Sequence, residues 1–148
     1  MMAKSALLVP SFGCLLKIAM NIKFITLKRI NNLYVKDLCN DEYLELLSDI
    51  FLDRSDLEKT IKKRLFISGS SGAGGNRTDV TFEGNVVIIA PMWEENGQDY
   101  SISVDRDVLL RLIDRWEQVI KDTPEFITLT LEGDGEISVV GSYTNCED

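Results

Sequence analysis

Between Asp105 and Asp122 the chain reads DRDVLLRLIDRWEQVIKD, and its apolar residues recur at helical spacing. Val108, Leu109, Leu112, Ile113, Trp116, Val119 and Ile120 form one continuous apolar face, which predicts an amphipathic helix over 105–121. Asp105 is placed to cap it, Asp107→Arg111 and Glu117→Lys121 lace its outer side, and Pro124 ends it. The same period recurs in DEYLELLSDIFL (41–52), through Tyr43, Leu44, Leu47, Ile50 and Phe51. A further helix starts from Ser55 or Asp56 and runs through Leu57, Ile61 and Leu65, with Glu58→Lys62 as an i,i+4 pair. The β signals are IKFITLK (22–28), TDVTF (78–82), VVIIAP (86–91), YSISV (100–104), FITLTL (126–131) and EISVV (136–140). EGN and EGDG read as the turns of two hairpins. The expectation is one α+β domain, an antiparallel sheet of five to six strands with the 105–121 helix packed on one face. Trp116, on the apolar side of that helix, is expected in the core.

The stretch ISGSSGAGGNRT (67–78) invites a phosphate-loop reading, which fails on residue type. Gly69 and Gly74 have the GxxxxG spacing, but Gly75 and Asn76 stand where Lys and Ser/Thr are needed to neutralise a phosphate and hold its metal. A dinucleotide pattern beginning at Gly72 and Gly74 breaks at Arg77. The context also fails, since a phosphate loop follows a strand and opens a helix. Residues 68–77 are read as a flexible Gly/Ser connector.

Charge is unevenly distributed. The net charge is −8, yet residues 1–40 carry six basic residues against one acidic, whereas 68–148 carry five basic against sixteen acidic. An acidic body repels phosphate backbones and attracts basic proteins, so nucleic acid is not the expected partner. No apolar run is long enough to span a bilayer. The opening MMAKSALLVPSFGCLLKIAM is interrupted by Pro10 and Gly13, lacks a small-residue cleavage site, and fits a lipoprotein box poorly at Ser11 and Phe12. Residues 1–19 are therefore read as a disordered or non-native extension, with one domain spanning 20–148. Cys14, Cys39 and Cys146 are scattered without a CxxC, which points away from a disulfide framework and towards a reducing, cytoplasmic setting.

Histidine is absent. That removes Ser–His and Cys–His nucleophiles, His-ligated zinc and the commonest general base. EGDGE (132–136) lacks the calcium-loop pattern. The chain is read as non-enzymatic, with no cofactor and no metal. Its most site-like segment is PMWEENGQDY (91–100), where the aromatic anchors Trp93 and Tyr100 flank the acids Glu94, Glu95 and Asp99. Aromatics supply contact area at low entropic cost and acids steer a basic partner, so these five residues are the candidate partner-binding site.

The half running DVTFEGNVVIIAPMWEENGQDYSISVDRDVLLRLIDRWEQVIKDTPEFITLTL resembles small acidic immunity proteins of bacterial toxin systems, including contact-dependent inhibition. The likeness lies in acidic loops, a Trp-bearing helix and alternating strands. It implies direct binding to a cognate toxin, with a basic toxin domain as partner. The element order from residue 41 is also similar to that of type III secretion chaperones, although the chain closes without their final helix. A small ligand-binding or sensory domain, with a pocket between helix and sheet, is the third reading.

Overall fold

A computed structural model describes residues 12–65, 71–92 and 100–144. The first strand, β1 (Phe24–Ile30), continues through a two-residue turn into β2 (Leu33–Cys39), a strand absent from the expected set. Asn31 and Asn32 both have left-handed φ, 53° and 66°, the conformation that a tight hairpin turn requires and that asparagine tolerates best among side-chain-bearing residues. The imperfect alternation of IKFITLK has a simple cause: β1 is covered on both faces. Ile25 and Leu27 enter the main core, while Phe24 packs with Cys14 and Leu38. Cys14 lies on α1 (Phe12–Ala19), so part of the N-terminal stretch is helical and docked. Cys14 is disulfide-bonded and Cys39 is a free thiol. The bonded Cys14 corrects the reading of the scattered cysteines as outside any disulfide.

The remaining elements are α2 (Glu42–Leu52), α3 (Leu57–Arg64), β3 (Gly72–Gly74), β4 (Thr78–Glu83), β5 (Val86–Pro91), β6 (Ile102–Asp105), α4 (Arg106–Ile120), β7 (Phe126–Leu131) and β8 (Ile137–Ser142). The class is α+β, but the single sheet of five to six strands is corrected to two four-stranded antiparallel sheets among the described residues. One has the order β2-β1-β7-β8, joined where Phe24 faces Thr130; the other is the meander β3-β4-β5-β6. The helices explain the division. On α2, Leu44, Leu47, Ser48, Ile50 and Phe51 are all buried, an arc too wide for one contact, and this helix touches β1, β2 and β7 on one side and β5 and β6 on the other. Helix α4 packs on β8 and reaches β5 and β6. One continuous core therefore runs through both sheets.

Helix caps and ion pairs refine the reading. Asp105 does cap α4, accepting from the amides of Asp107 and Val108 at 2.9 and 3.1 Å. Asp56 precedes α3 in a left-handed conformation but its side chain makes no cap bond, and Ser55 is engaged elsewhere. The expected i,i+4 pairs give way to pairs between elements. Lys62 binds Asp114 and Glu117, each at 2.7 Å, joining α3 to α4. Arg111 and Arg115 converge on Glu136, Arg111 in bidentate fashion at 3.0 and 2.6 Å, clasping α4 to the β7–β8 hairpin. The bonds from Arg111 hold the Glu136 carboxyl at a pKa of about 2 against the opposing effect of desolvation, with Arg115 adding to the lowering.

The described part of the glycine-rich stretch has a structural role. Residues 72–74 form β3 on β4, and the following backbone wraps a carboxylate of the protein itself. Asp53, just past α2, accepts from the amides of Ser55, Asn76 and Arg77, each at 3.0 Å, and from the Ser55 hydroxyl at 2.6 Å. A Cβ on Gly75 would collide with that carboxylate, and one on Gly72 with the Val80 carbonyl. These glycines allow close approach rather than flexibility. Gly75→Ala is expected to destabilise the fold by about 1–3 kcal/mol in urea unfolding, by overpacking against a carboxylate held at four points. Wild-type stability in this variant would mean that the loop yields freely.

Candidate functional site

Where the two sheets meet, a groove of about 1110 Å³ is bounded by β2, the α2–α3 connection, the ends of β4 and β5, and α4. Its β2 wall is formed by five consecutive residues, Asn32 to Lys36. Successive side chains of a strand point to opposite faces, so an unbroken run along one wall means that β2 is presented edge-on. Among the described residues it is the terminal strand of its sheet, with β1 on one side and no second strand along the 32–36 stretch of its other edge. Leu33 and Val35, 42% and 41% exposed, add apolar surface along it.

The floor is aromatic. Trp116 is only 3% exposed and belongs to the core as expected, yet it also lines the groove. Its ring stacks on Phe51 with centroids 4.5 Å apart and meets Tyr34 edge-on at 5.9 Å. Tyr34 is fixed by its hydroxyl, which donates to the Pro124 carbonyl at 2.6 Å. Burial raises its pKa, against a lowering by Arg29, so the hydroxyl stays a donor.

The polar side of the groove holds charges of unequal freedom. Lys36 pairs with Asp49 at 2.8 Å. Asp53 is committed to its four donors; burial pushes its carboxyl up, but the bonds from Ser55, Asn76 and Arg77 prevail and bring it to about 2. Arg54 and Arg77 are exposed, line the groove and have no ion pair among the described residues. Glu58 lines the groove as well, is 6% exposed, and has no ion pair among the described residues. Burial raises its pKa, its own backbone amide lowers it, and Asp56 adds to the rise.

Of the five residues nominated from sequence, Tyr100 is 54% exposed and lines this groove beside Pro91. Trp93, Glu94, Glu95 and Asp99 lie outside the described residues, in the segment connecting those two positions. The β2 edge, Phe51 and Glu58 were not anticipated as site residues. The signal for β2 was present in NN followed by LYVKDLC, a turn pair before a β-rich run. No cluster of three or more potential metal ligands occurs among the described residues, and none of their helices is long and apolar enough to cross a membrane. Comparison with protein-family models, curated proteins and solved structures finds no match to this chain.

Proposed function

We propose that this chain is a non-enzymatic protein-binding module whose groove receives an extended segment of a partner along the free edge of β2. The observation that carries this reading is the edge-on run Asn32–Lys36 above an aromatic floor. Main-chain pairing to an exposed edge supplies affinity, and alternate side chains of the incoming strand fill the groove. Within this class the immunity reading is favoured: a protein that binds a cognate toxin and blocks its active face. The sixteen acidic residues of 68–148 suit attraction of a basic partner. A groove of about 1110 Å³ is larger than most small-molecule pockets, which makes the sensory-domain reading secondary.

The test compares the wild-type chain with Val35→Lys, which places a charge on an exposed edge position without touching the core. A stoichiometric partner captured by the wild type, with its toxic activity abolished in the complex, is expected to be lost by at least tenfold in the variant, equivalent to about 1.4 kcal/mol. Capture of the same partner with unchanged affinity by a folded Val35→Lys chain would reject the groove as the binding surface. Several secreted clients bound by a dimer would replace immunity with the chaperone reading.

A further inference from the structure

We propose that helix α1 and the sheet face beneath it form a docking surface for an anionic lipid bilayer. Helix α1 turns apolar side chains to water: Cys14 is buried against Phe24, while Leu15, Leu16 and Ile18 are 50%, 48% and 47% exposed. Met20, just past the helix, is 61% exposed. The sheet continues this surface. Ile25 and Leu27 enter the main core, so alternation turns Phe24, Thr26, Lys28 and Ile30 outward. Val140 shares that outward face, because it lies opposite Thr128, which lies opposite Thr26. Ile30 and Val140 are both exposed, and none of these residues lines the groove. Aliphatic side chains gathered on one side of a protein and rimmed by polar groups mark an interaction surface.

Charge selects the occupant. The first acidic residue of the chain is Asp37, and six basic residues precede it. Lys17 lies within α1 and has no ion pair among the described residues. Lys28 stands on the outward sheet face, 6.0 Å from the Phe126 ring centroid. Lys23 follows the helix with a side chain 61% exposed and a loose pair to Asp41 at 3.9 Å. The acids on this side are engaged within the protein: Asp37 accepts from Thr26 and Glu132 from Ser138. A second copy of the chain would bring like-charged segments together, whereas an anionic headgroup layer complements them. Repulsion from the net charge of −8 is screened beyond about 8 Å at physiological salt, so the local lysines dominate at contact. Such a helix lies in the membrane plane, its apolar side among the acyl chains and its lysines beside the phosphates. An eight-residue helix is far too short to cross, so the attachment is to the surface alone.

The experiment is co-sedimentation of the full chain with vesicles of phosphatidylcholine and phosphatidylglycerol in equal parts, with pure phosphatidylcholine vesicles as control. The expected result is binding to the anionic vesicles, weaker by about tenfold or more to the neutral ones, and weakened again at ~0.5 M salt. Leu16→Ser combined with Ile18→Ser is expected to reduce binding to anionic vesicles by about tenfold or more, and Lys17→Gln by about fivefold. Leu16 and Ile18 are exposed, so the double variant keeps the fold, which circular dichroism checks. Sedimentation velocity without lipid tests the competing occupant: a dimer that the double variant abolishes assigns the surface to a second copy and overturns the inference. No binding to anionic vesicles, equal binding to neutral ones, or undiminished binding by the folded double variant overturns it as well. The groove reading stands or falls separately, on the Val35→Lys comparison.

Discussion

Trp116→Ala is expected to lower stability in urea unfolding by about 3–5 kcal/mol. The indole sits where several supports meet: stacked on Phe51 from α2, met by Tyr34 from β2, and in the same core cluster as Leu112 and Ile113 of its own helix. Removing it detaches α4 from α2 and from the edge strand at once. The vacated volume opens into the groove, so water enters it and the loss falls towards the lower end of that range. Trp116→Phe retains an aromatic face for Phe51 and is expected to lose less than half as much. Unfolding by circular dichroism, with an unchanged m-value, is the appropriate readout. A loss under about 1 kcal/mol in the alanine variant would show that the three rings do not support the junction between the sheets.

Asp53→Ala is expected to cost about 2–4 kcal/mol at neutral pH, because it strands the Ser55, Asn76 and Arg77 amides away from their acceptor. The effect is also pH-dependent, with a definite sign. The carboxyl titrates at about 2 in the fold against an ordinary 3.8, so its ionised form is favoured by folding. Its contribution, about 2 kcal/mol from that difference, is complete above the ordinary value and disappears as pH falls through the folded value. Wild-type stability should therefore fall between pH 4 and pH 2 more steeply than that of Asp53→Ala. Parallel acid profiles for the two proteins would mean that Asp53 does not hold the 75–77 segment.

Much of the fold was legible in the chain. The 105–121 helix is where seven apolar residues place it, its cap included, because a strong helical period and an N-terminal aspartate are local signals. The hairpins around Gly84 and Gly135 were equally local, and both glycines have the positive φ their turns require. Strand β2 was missed although its Asn31–Asn32 turn is a local signal, because its own residues are mostly exposed and carry little alternation. The glycine-rich stretch reads locally as a connector, and the contacts of its described residues depend on Asp53, more than twenty residues earlier in the chain.

The sequence by itself determined the α+β class, the identity of the long helix and the exclusion of histidine chemistry, since each depends on residue type and short-range period. Only the tertiary structure decided that the strands divide into two sheets, that helix charges pair between elements, and that β2, Phe51, Trp116, Glu58 and Tyr100 share one groove. The physical reason is distance along the chain. Period and propensity act over a few residues, whereas β1 chooses β7 as its neighbour across about a hundred residues, and that choice sets which surfaces remain free.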